Sequence, residues 1–156
     1  MIASPRGVAA CVLVVGIAVG SFASRSQPRA PVRAGEYWLL VGDFHVHAFP
    51  GDGALGAWTL RDQARRAGLD VIAVTDHNQV LGSRFANWRT TPEDPIVIRG
   101  EEVTNPAYHL IAVGLDQAVS PHQPAASAID AVHAQGGVAI AAHPTDRTRG
   151  WDDEAI

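Results

Sequence analysis

The stretch Leu69-Asp70-Val71-Ile72-Ala73-Val74-Thr75-Asp76-His77-Asn78 (residues 69–78) decides how the chain folds. Its first seven residues are mostly apolar, rich in β-branched side chains and too few for a helix, so they predict a buried strand. Three polar residues follow directly. The rest of the chain repeats this pattern, in which a short apolar run ends in ionisable side chains.

Short apolar runs predict five strands, and the segments between them predict three helices. The predicted strands are Tyr37–Phe44, Leu69–Thr75, Pro95–Arg99, Tyr108–Val113 and Val138–Ala142. The predicted helices are Leu60–Ala67, with Thr59 as its N-cap and Gly68 as its stop, a weaker one over Gly82–Trp88, and Ala125–Gln135. Alternating strands and helices indicate an α/β fold with a mainly parallel sheet covered on both faces, either a barrel or a doubly wound sheet.

Length and charge limit the class of protein. A chain of 156 residues is long enough for one domain with a real core and too short for two. The formal net charge of -4 gives no electrostatic footprint for nucleic acid, so the expected partner is a small-molecule substrate. The single cysteine, Cys11, excludes an intrachain disulfide and a cysteine-based zinc finger. Because Cys11 lies in the N-terminal apolar segment, a cysteine nucleophile is excluded as well.

Residues 1–23 predict a signal peptide or an N-terminal membrane anchor. Arg6 precedes an apolar run over residues 8–19, and Ser21-Phe22-Ala23 offers small side chains to a signal peptidase. We therefore expect an exported protein, periplasmic or extracellular, that contacts the inner membrane only if residues 8–22 stay uncleaved. Residues 24–35, which contain two prolines and three arginines, predict a flexible linker, and residues 36–156 the folded domain.

Ionisable side chains collect where the predicted strands end. They are Asp43, His45 and His47 for the first strand, Asp76 and His77 for the second, Glu101 and Glu102 for the third, and His143 for the fifth. In parallel α/β folds these ends meet at one edge of the sheet. His45 and His47, two residues apart, leave an extended chain from the same face and could share a cation. Imidazole with carboxylate suits Zn, Mn or Fe, and two or three such ions could activate water.

Each of these motifs alone also has a plain structural interpretation. A His-x-His pair is often at the surface, Asp76-His77 could form a turn, and one of Glu101 and Glu102 is expected to be solvated. His109, inside an apolar strand, could be a hydrogen-bonded core histidine. Their coincidence at successive strand ends favours the metal site.

The same residues resemble the PHP family (polymerase and histidinol phosphatase domain). Its Asp-x-His-x-His motif is matched by residues 43–47, its Thr-Asp-His-Asn motif by residues 75–78, and its Gly-x-Glu-Val motif by residues 100–103. Gly51-Asp52-Gly53 approximates a downstream loop of the family, and His143-Pro144 matches its His-Pro motif. Since the chain is expected to be exported, it most resembles the subgroup that includes carbaryl-hydrolase-like enzymes.

The resemblance implies a distorted TIM-like (β/α)7 barrel with a trinuclear site. His45, His47 and Glu102 would hold one metal ion, and Glu102, His109 and His143 a second. Asp52 and His77 would contribute to a third, with Asp76 orienting a ligand or serving as one. The family's late Asp-x-His motif has no counterpart before Ile156. We therefore expect a C-terminally truncated PHP domain that covers the N-terminal half to two-thirds of the barrel.

The expected function is metal-dependent hydrolysis of phosphoesters, with His45, His47, Glu102 and His143 as catalytic residues. Arg99 and Arg147 are the basic residues nearest the site that could contact a phosphate. One alternative is an ester or carbamate hydrolase with the same metal ions, which an apolar wall of Phe44, Phe49 and Trp58 would favour. The other is a truncated module that binds metal without catalysis.

Overall fold

The computed structural model describes residues 5–23, 32–146 and 151. The helices are α1 (Pro5–Ala23), α2 (Ala57–Arg66), α3 (Leu81–Ala86) and α4 (Ala125–His133). The strands are β1 (Val32–Ala34), β2 (Tyr37–Leu39), β3 (Gly42–Val46), β4 (Val71–Val74), β5 (Ile96–Asn105), β6 (Tyr108–Val113) and β7 (Val138–Ala141). Within this part of the chain, none of the helices has both the length and the apolar character that a membrane crossing requires.

The main sheet has five strands in the order β3-β4-β5-β6-β7. β3–β4 and β4–β5 pair in parallel, whereas β5–β6 and β6–β7 pair antiparallel, so the prediction of a mainly parallel sheet is wrong. The reason is the two-residue connection Pro106-Ala107 between β5 and β6, since a parallel crossover needs a dozen residues or more. β6 therefore runs backwards, and its first residues lie at the edge where β7 ends.

The predicted first strand, Tyr37–Phe44, divides into two strands in different sheets. β1 and β2 form a separate antiparallel hairpin, so residues 32–34 of the predicted linker are a strand. Gly35, with a φ of 63°, allows the tight turn between them. Residues 24–31 lie outside the described residues. β3 begins at Gly42. The N–H of the preceding residue, Val41, donates to the Asp70 carboxylate at 2.7 Å.

Burial differs between the middle and the edges of the sheet. β4 and β6 are buried along their whole length, as predicted, whereas β3 and β7 are mostly exposed because each has a neighbour on one side. The sheet curls, since β3 contacts β6 although two strands lie between them. Apolar side chains of α2 and α3 pack with β4 and β5, while those of α4 pack with β6.

The predicted helices form, with shifted ends. α2 begins at Ala57 after Gly56 as N-cap, so the prediction of Thr59 as N-cap is wrong. α3 and α4 end two residues earlier than predicted. β5 continues to Asn105, six residues beyond the predicted end, because pairing with β6 prolongs it past the last residue paired with β4. Glu102 therefore lies within β5, past the last β5 residue that pairs with β4.

Candidate metal centre

The predicted site residues converge at one edge of the curled sheet. His47 follows β3, His77 follows β4, His143 follows β7, and His109 is the second residue of the reversed strand β6. A register irregularity between Asp43 and Val46 reorients the end of β3. The Thr75 hydroxyl group spans this irregularity, since its oxygen accepts the Val46 N–H at 3.1 Å.

Glu102 is the centre of the cluster. Its side chain is 2% exposed, and five imidazoles surround its carboxylate. Oε2 lies 3.2 Å from His45 Nε2, His47 Nε2 and His77 Nδ1, and Oε1 lies 2.8 Å from His109 Nδ1 and 3.0 Å from His143 Nε2. The two oxygens thus face different sets of histidines. One carboxylate is shared between two groups of potential ligands.

Three groups of ligand atoms are close enough to hold a cation. In each group, one atom per residue lies within 4.8 Å of the others. The groups are His45, His47 and Glu102; Glu102, His109 and His143; and His47, Asp52 and His77. The first two are the sets that the resemblance implied, and the third adds His47 to the implied pair. A neutral imidazole has one free lone pair, so His47 can serve only one of its two groups at a time.

The electrostatics of the cluster favour ionised carboxylates beside imidazoles. Burial raises the pKa of Glu102, but hydrogen bonds from His47, His109 and His143 outweigh it and lower that pKa. The same hydrogen bond to Glu102 raises the pKa of His47 against the opposing effect of burial. The pKa of Asp52 is lowered by His47 and His77, although desolvation opposes this shift.

The residues fit divalent transition-metal ions. Bonds of about 2.0–2.1 Å put neighbouring ligand atoms about 2.9–3.4 Å apart in octahedral or tetrahedral coordination. The separations around Glu102, from 2.8 to 3.2 Å, are close to that span. Among the described residues, Nδ1 of His143 is buried without a hydrogen-bond partner, and Nδ1 of His47 is buried 2.9 Å from Oδ1 of Asp52 without hydrogen-bond geometry. A carboxylate has about four lone-pair sites, so it cannot accept hydrogen bonds from all five imidazoles at once. Ring nitrogens are therefore left over that could bind a metal ion.

Two carboxylates that follow the predicted strands belong to none of the three ligand groups. Asp76 is 3% exposed, and its Oδ1 accepts the N–H of Ala48 at 2.6 Å, which fixes the chain just after His47. The two roles predicted for Asp76, orienting a ligand or serving as one, stay predictions. Glu101 is buried on the opposite face of β5, where one of its oxygens accepts the Val119 N–H. Glu102, and not Glu101, therefore enters the cluster. Both glutamates are buried, so the expectation that one of them is solvated is wrong.

His109 and His143 are held by the backbone around them. His109 is 9% exposed, so it is both a buried, hydrogen-bonded histidine and a member of a ligand group. His143 has a φ of 28°, an uncommon value for a residue with a side chain. The His109 carbonyl accepts N–H groups from Ala142 at 3.0 Å and from the Trp151 indole at 2.9 Å. These bonds tie the start of β6 to the end of β7.

Sequence reasoning missed Thr104. Its hydroxyl oxygen lies 2.6 Å from His77 Nδ1, and its backbone bonds to the side chain of Asn78. The available signal was its position two residues after Glu102, which puts both side chains on the same face of a strand.

The curled mixed sheet is consistent with a partial PHP-like fold, and the His/Glu cluster contains groups that could hold metal ions. No family model matches the chain. An uncharacterised protein of Methanocaldococcus jannaschii is 27% identical over 104 residues, which are 67% of this chain and 60% of that protein. A solved two-domain protein from Bacteroides vulgatus, described as containing a predicted PHP-like metal-dependent phosphoesterase, superposes with a TM-score of 0.68 at 23% identity.

The superposition covers 84% of this chain and 44% of the Bacteroides vulgatus chain. The chain thus spans 60% of the curated relative and less than half of the solved neighbour. At 23% identity, the likeness supports the fold, and the reaction must be argued from the cluster itself.

Proposed function

We propose that this chain is part of a metal-dependent phosphoesterase. The observation that supports this most is the Glu102 carboxylate, whose two oxygens face two separate groups of imidazoles. A carboxylate with that environment suits a bridge between two cations. The PHP-like fold of the solved neighbour adds support, and the curled sheet is consistent with a partial PHP-like fold, while the complete (β/α)7 barrel is part of the proposal.

The proposed cofactors are two or three Zn, Mn or Fe ions. Such ions would acidify a water molecule and neutralise charge that develops on a phosphoryl group. His45 and His47 would hold one ion with Glu102, and His109 and His143 the other. Asp52 and His77 would hold a third while His47 serves the first. Burial of Glu102 keeps bulk water from screening its charge toward both groups.

Arg99 does not supply a phosphate contact at the cluster. Arg99 is on the face of β5 opposite to Glu102 and forms an ion pair with Asp116 at 3.1 Å, so it is not available to a phosphate at the cluster. Arg147 lies outside the described residues. We infer that the cations themselves would provide most of the positive charge that a phosphoester needs.

Among the described residues, Phe44, Phe49 and Trp58, which would favour an aryl ester, make no ring contacts with one another. The Trp58 ring packs on Trp88, with centroids 5.6 Å apart. The Phe44 ring lies beside Gly42, as does the Val71 side chain. This arrangement weakens the ester or carbamate alternative relative to the phosphoester proposal. Export to the periplasm or cell exterior and a small-molecule substrate remain part of the proposal.

The test uses the full chain, purified without metal and then loaded with Mn²⁺, Zn²⁺ or Fe²⁺. Bound metal is counted by mass spectrometry, and turnover is measured on p-nitrophenyl phosphate, bis(p-nitrophenyl) phosphate and p-nitrophenyl acetate. We expect at least two bound ions and phosphoester hydrolysis that His45→Ala and Glu102→Gln abolish. Glu93→Gln, an exposed position with the same change of charge, is the matched control and should keep wild-type rates.

Three other outcomes would contradict the proposal in different ways. A chain that binds no transition metal would remove the metal site altogether. Metal-dependent turnover of the acetate ester alone would establish the alternative hydrolase. Stoichiometric metal binding without turnover of any substrate would identify a non-catalytic module.

A further inference from the structure

Thr104 contacts the cluster through its hydroxyl group. This hydroxyl lies 3.2 Å from the Glu102 carbonyl oxygen and 2.6 Å from Nδ1 of His77. A carbonyl oxygen can only accept a hydrogen bond, so the single hydroxyl proton is the donor in the first contact. The Thr104 oxygen is then left to accept a proton from His77.

A second contact of His77 Nδ1 also favours a proton on that nitrogen. His77 Nδ1 lies 3.2 Å from Oε2 of Glu102, which is also an acceptor when ionised. Two acceptors facing Nδ1 favour a neutral imidazole that carries its proton there. The other ring nitrogen, Nε2, is then unprotonated and free to bind a cation.

The position of Nε2 suits a cation shared with Asp52. Nε2 of His77 lies 3.2 Å from Oδ2 of Asp52. An unprotonated nitrogen and a carboxylate oxygen both offer lone pairs, so this contact is satisfied by a cation or a proton between them. Their separation is within the span of about 2.9–3.4 Å expected for two ligands of one transition-metal ion.

Asn78 holds Thr104 in place for this contact. The Asn78 side chain accepts the Thr104 N–H at 2.8 Å and donates to the Thr104 carbonyl at 3.4 Å. The Asn78 N–H donates to the Glu102 carbonyl at 3.0 Å, and His77 and Glu102 form a parallel bridge. The segment after β4 is thus fastened to β5 on both sides of His77.

We infer that Thr104 is a positioning residue that keeps the proton of His77 on Nδ1 and so presents Nε2 to a divalent cation beside Asp52. This inference rests on the proposed metal site. It adds to that site a residue that binds neither metal nor substrate. Outer contacts of this kind typically change metal affinity about 10- to 100-fold.

The experiment reads the histidine tautomer directly in the metal-free full chain. Long-range ¹H–¹⁵N correlation spectra of ¹⁵N-histidine-labelled protein are recorded at about pH 8, where imidazoles are mostly neutral. His77→Gln identifies the signals of His77. We expect the proton on Nδ1 in the wild type and in Thr104→Ser, and a larger Nε2-protonated fraction in Thr104→Val.

Titration with Mn²⁺ or Zn²⁺ supplies the second measurement. Asp52→Asn identifies the binding step that depends on Asp52, and Thr104→Val should weaken that step by about 10- to 100-fold while Thr104→Ser keeps it. An Nε2-protonated His77 in the wild type would overturn the inference, and so would wild-type affinity in Thr104→Val. If Thr104→Val does not fold, the wild-type tautomer decides. Absent hydrolysis with the expected tautomer and affinities would contradict the proposed function alone.

Discussion

Glu101 should make the metal-free protein less stable as the pH rises. Its side chain is fully buried, one oxygen accepts the Val119 N–H, and the other has no hydrogen-bond partner among the described residues. Burial raises the pKa of Glu101 from 4.5 to about 7, against the smaller opposing effect of the Val119 hydrogen bond. The folded state therefore binds a proton more tightly than the unfolded chain does.

The magnitude follows from that difference in pKa. Between pH 4.5 and pH 7 the unfolded chain loses the Glu101 proton before the folded chain does, so the free energy of unfolding falls as the pH rises. At about 1.4 kcal/mol for each unit of pKa, the loss is about 3 kcal/mol once the pH exceeds 7. Glu101→Gln should remove this loss, because glutamine resembles the protonated acid in shape and stays neutral.

The assay is urea unfolding followed by circular dichroism, from pH 5 to pH 8, with EDTA present. We expect Glu101→Gln to be more stable than wild type by less than about 1 kcal/mol at pH 5 and by about 3 kcal/mol at pH 8. Taking the difference removes the contributions of the histidine cluster, which both proteins share. Glu93→Gln, exposed on the surface, should follow the wild type. A difference that does not change with pH, or that grows toward acid, would refute the reasoning.

Two further predictions concern the support of the site and its occupation. Gly82→Ala would set a methyl group against Oδ2 of Asp76, so we expect urea unfolding to show a loss of about 1–3 kcal/mol. Gly56→Ala, where the added methyl group meets open space, is the control, and an equal loss in both variants would contradict this explanation. Mn²⁺ or Zn²⁺ at 100 times its dissociation constant should stabilise the folded chain by about 2.7 kcal/mol. In calorimetry this corresponds to a melting temperature higher by about 5–10 °C, and an unchanged melting temperature, or an equal rise in Glu102→Gln, would contradict binding at the cluster.

Much of the local structure was predictable because apolar periodicity reflects burial directly. The runs around β4, β6 and β7 and the three predicted helices form close to their expected positions. The first strand was misjudged, because Tyr37–Phe44 is one apolar run in sequence but serves two sheets. Apolar character also overstated the burial of β3 and β7, since exposure depends on what lies beside a strand and not on its own side chains.

The direction of β6 was the main error about the fold. The sequence pattern of Tyr108–Val113 is the same for either direction, and the mainly parallel sheet was inferred from the alternation of elements. The short connection Pro106-Ala107 joins β5 and β6 in a hairpin, so β6 runs antiparallel to β5. That reversal brings His109, at the start of β6, to the edge where β7 ends and His143 follows.

The sequence by itself determined the ligand chemistry of the stretch around Asp76-His77-Asn78 and of its counterparts, because imidazoles and carboxylates after apolar runs are visible in one dimension. The resemblance to the PHP family separated Glu102 from Glu101. Only the tertiary structure decided that the Glu102 oxygens face different histidines and that Thr104 meets His77 Nδ1. Those facts depend on strand direction, register and curl. These are set by packing between distant segments, and no local pattern in the chain records them.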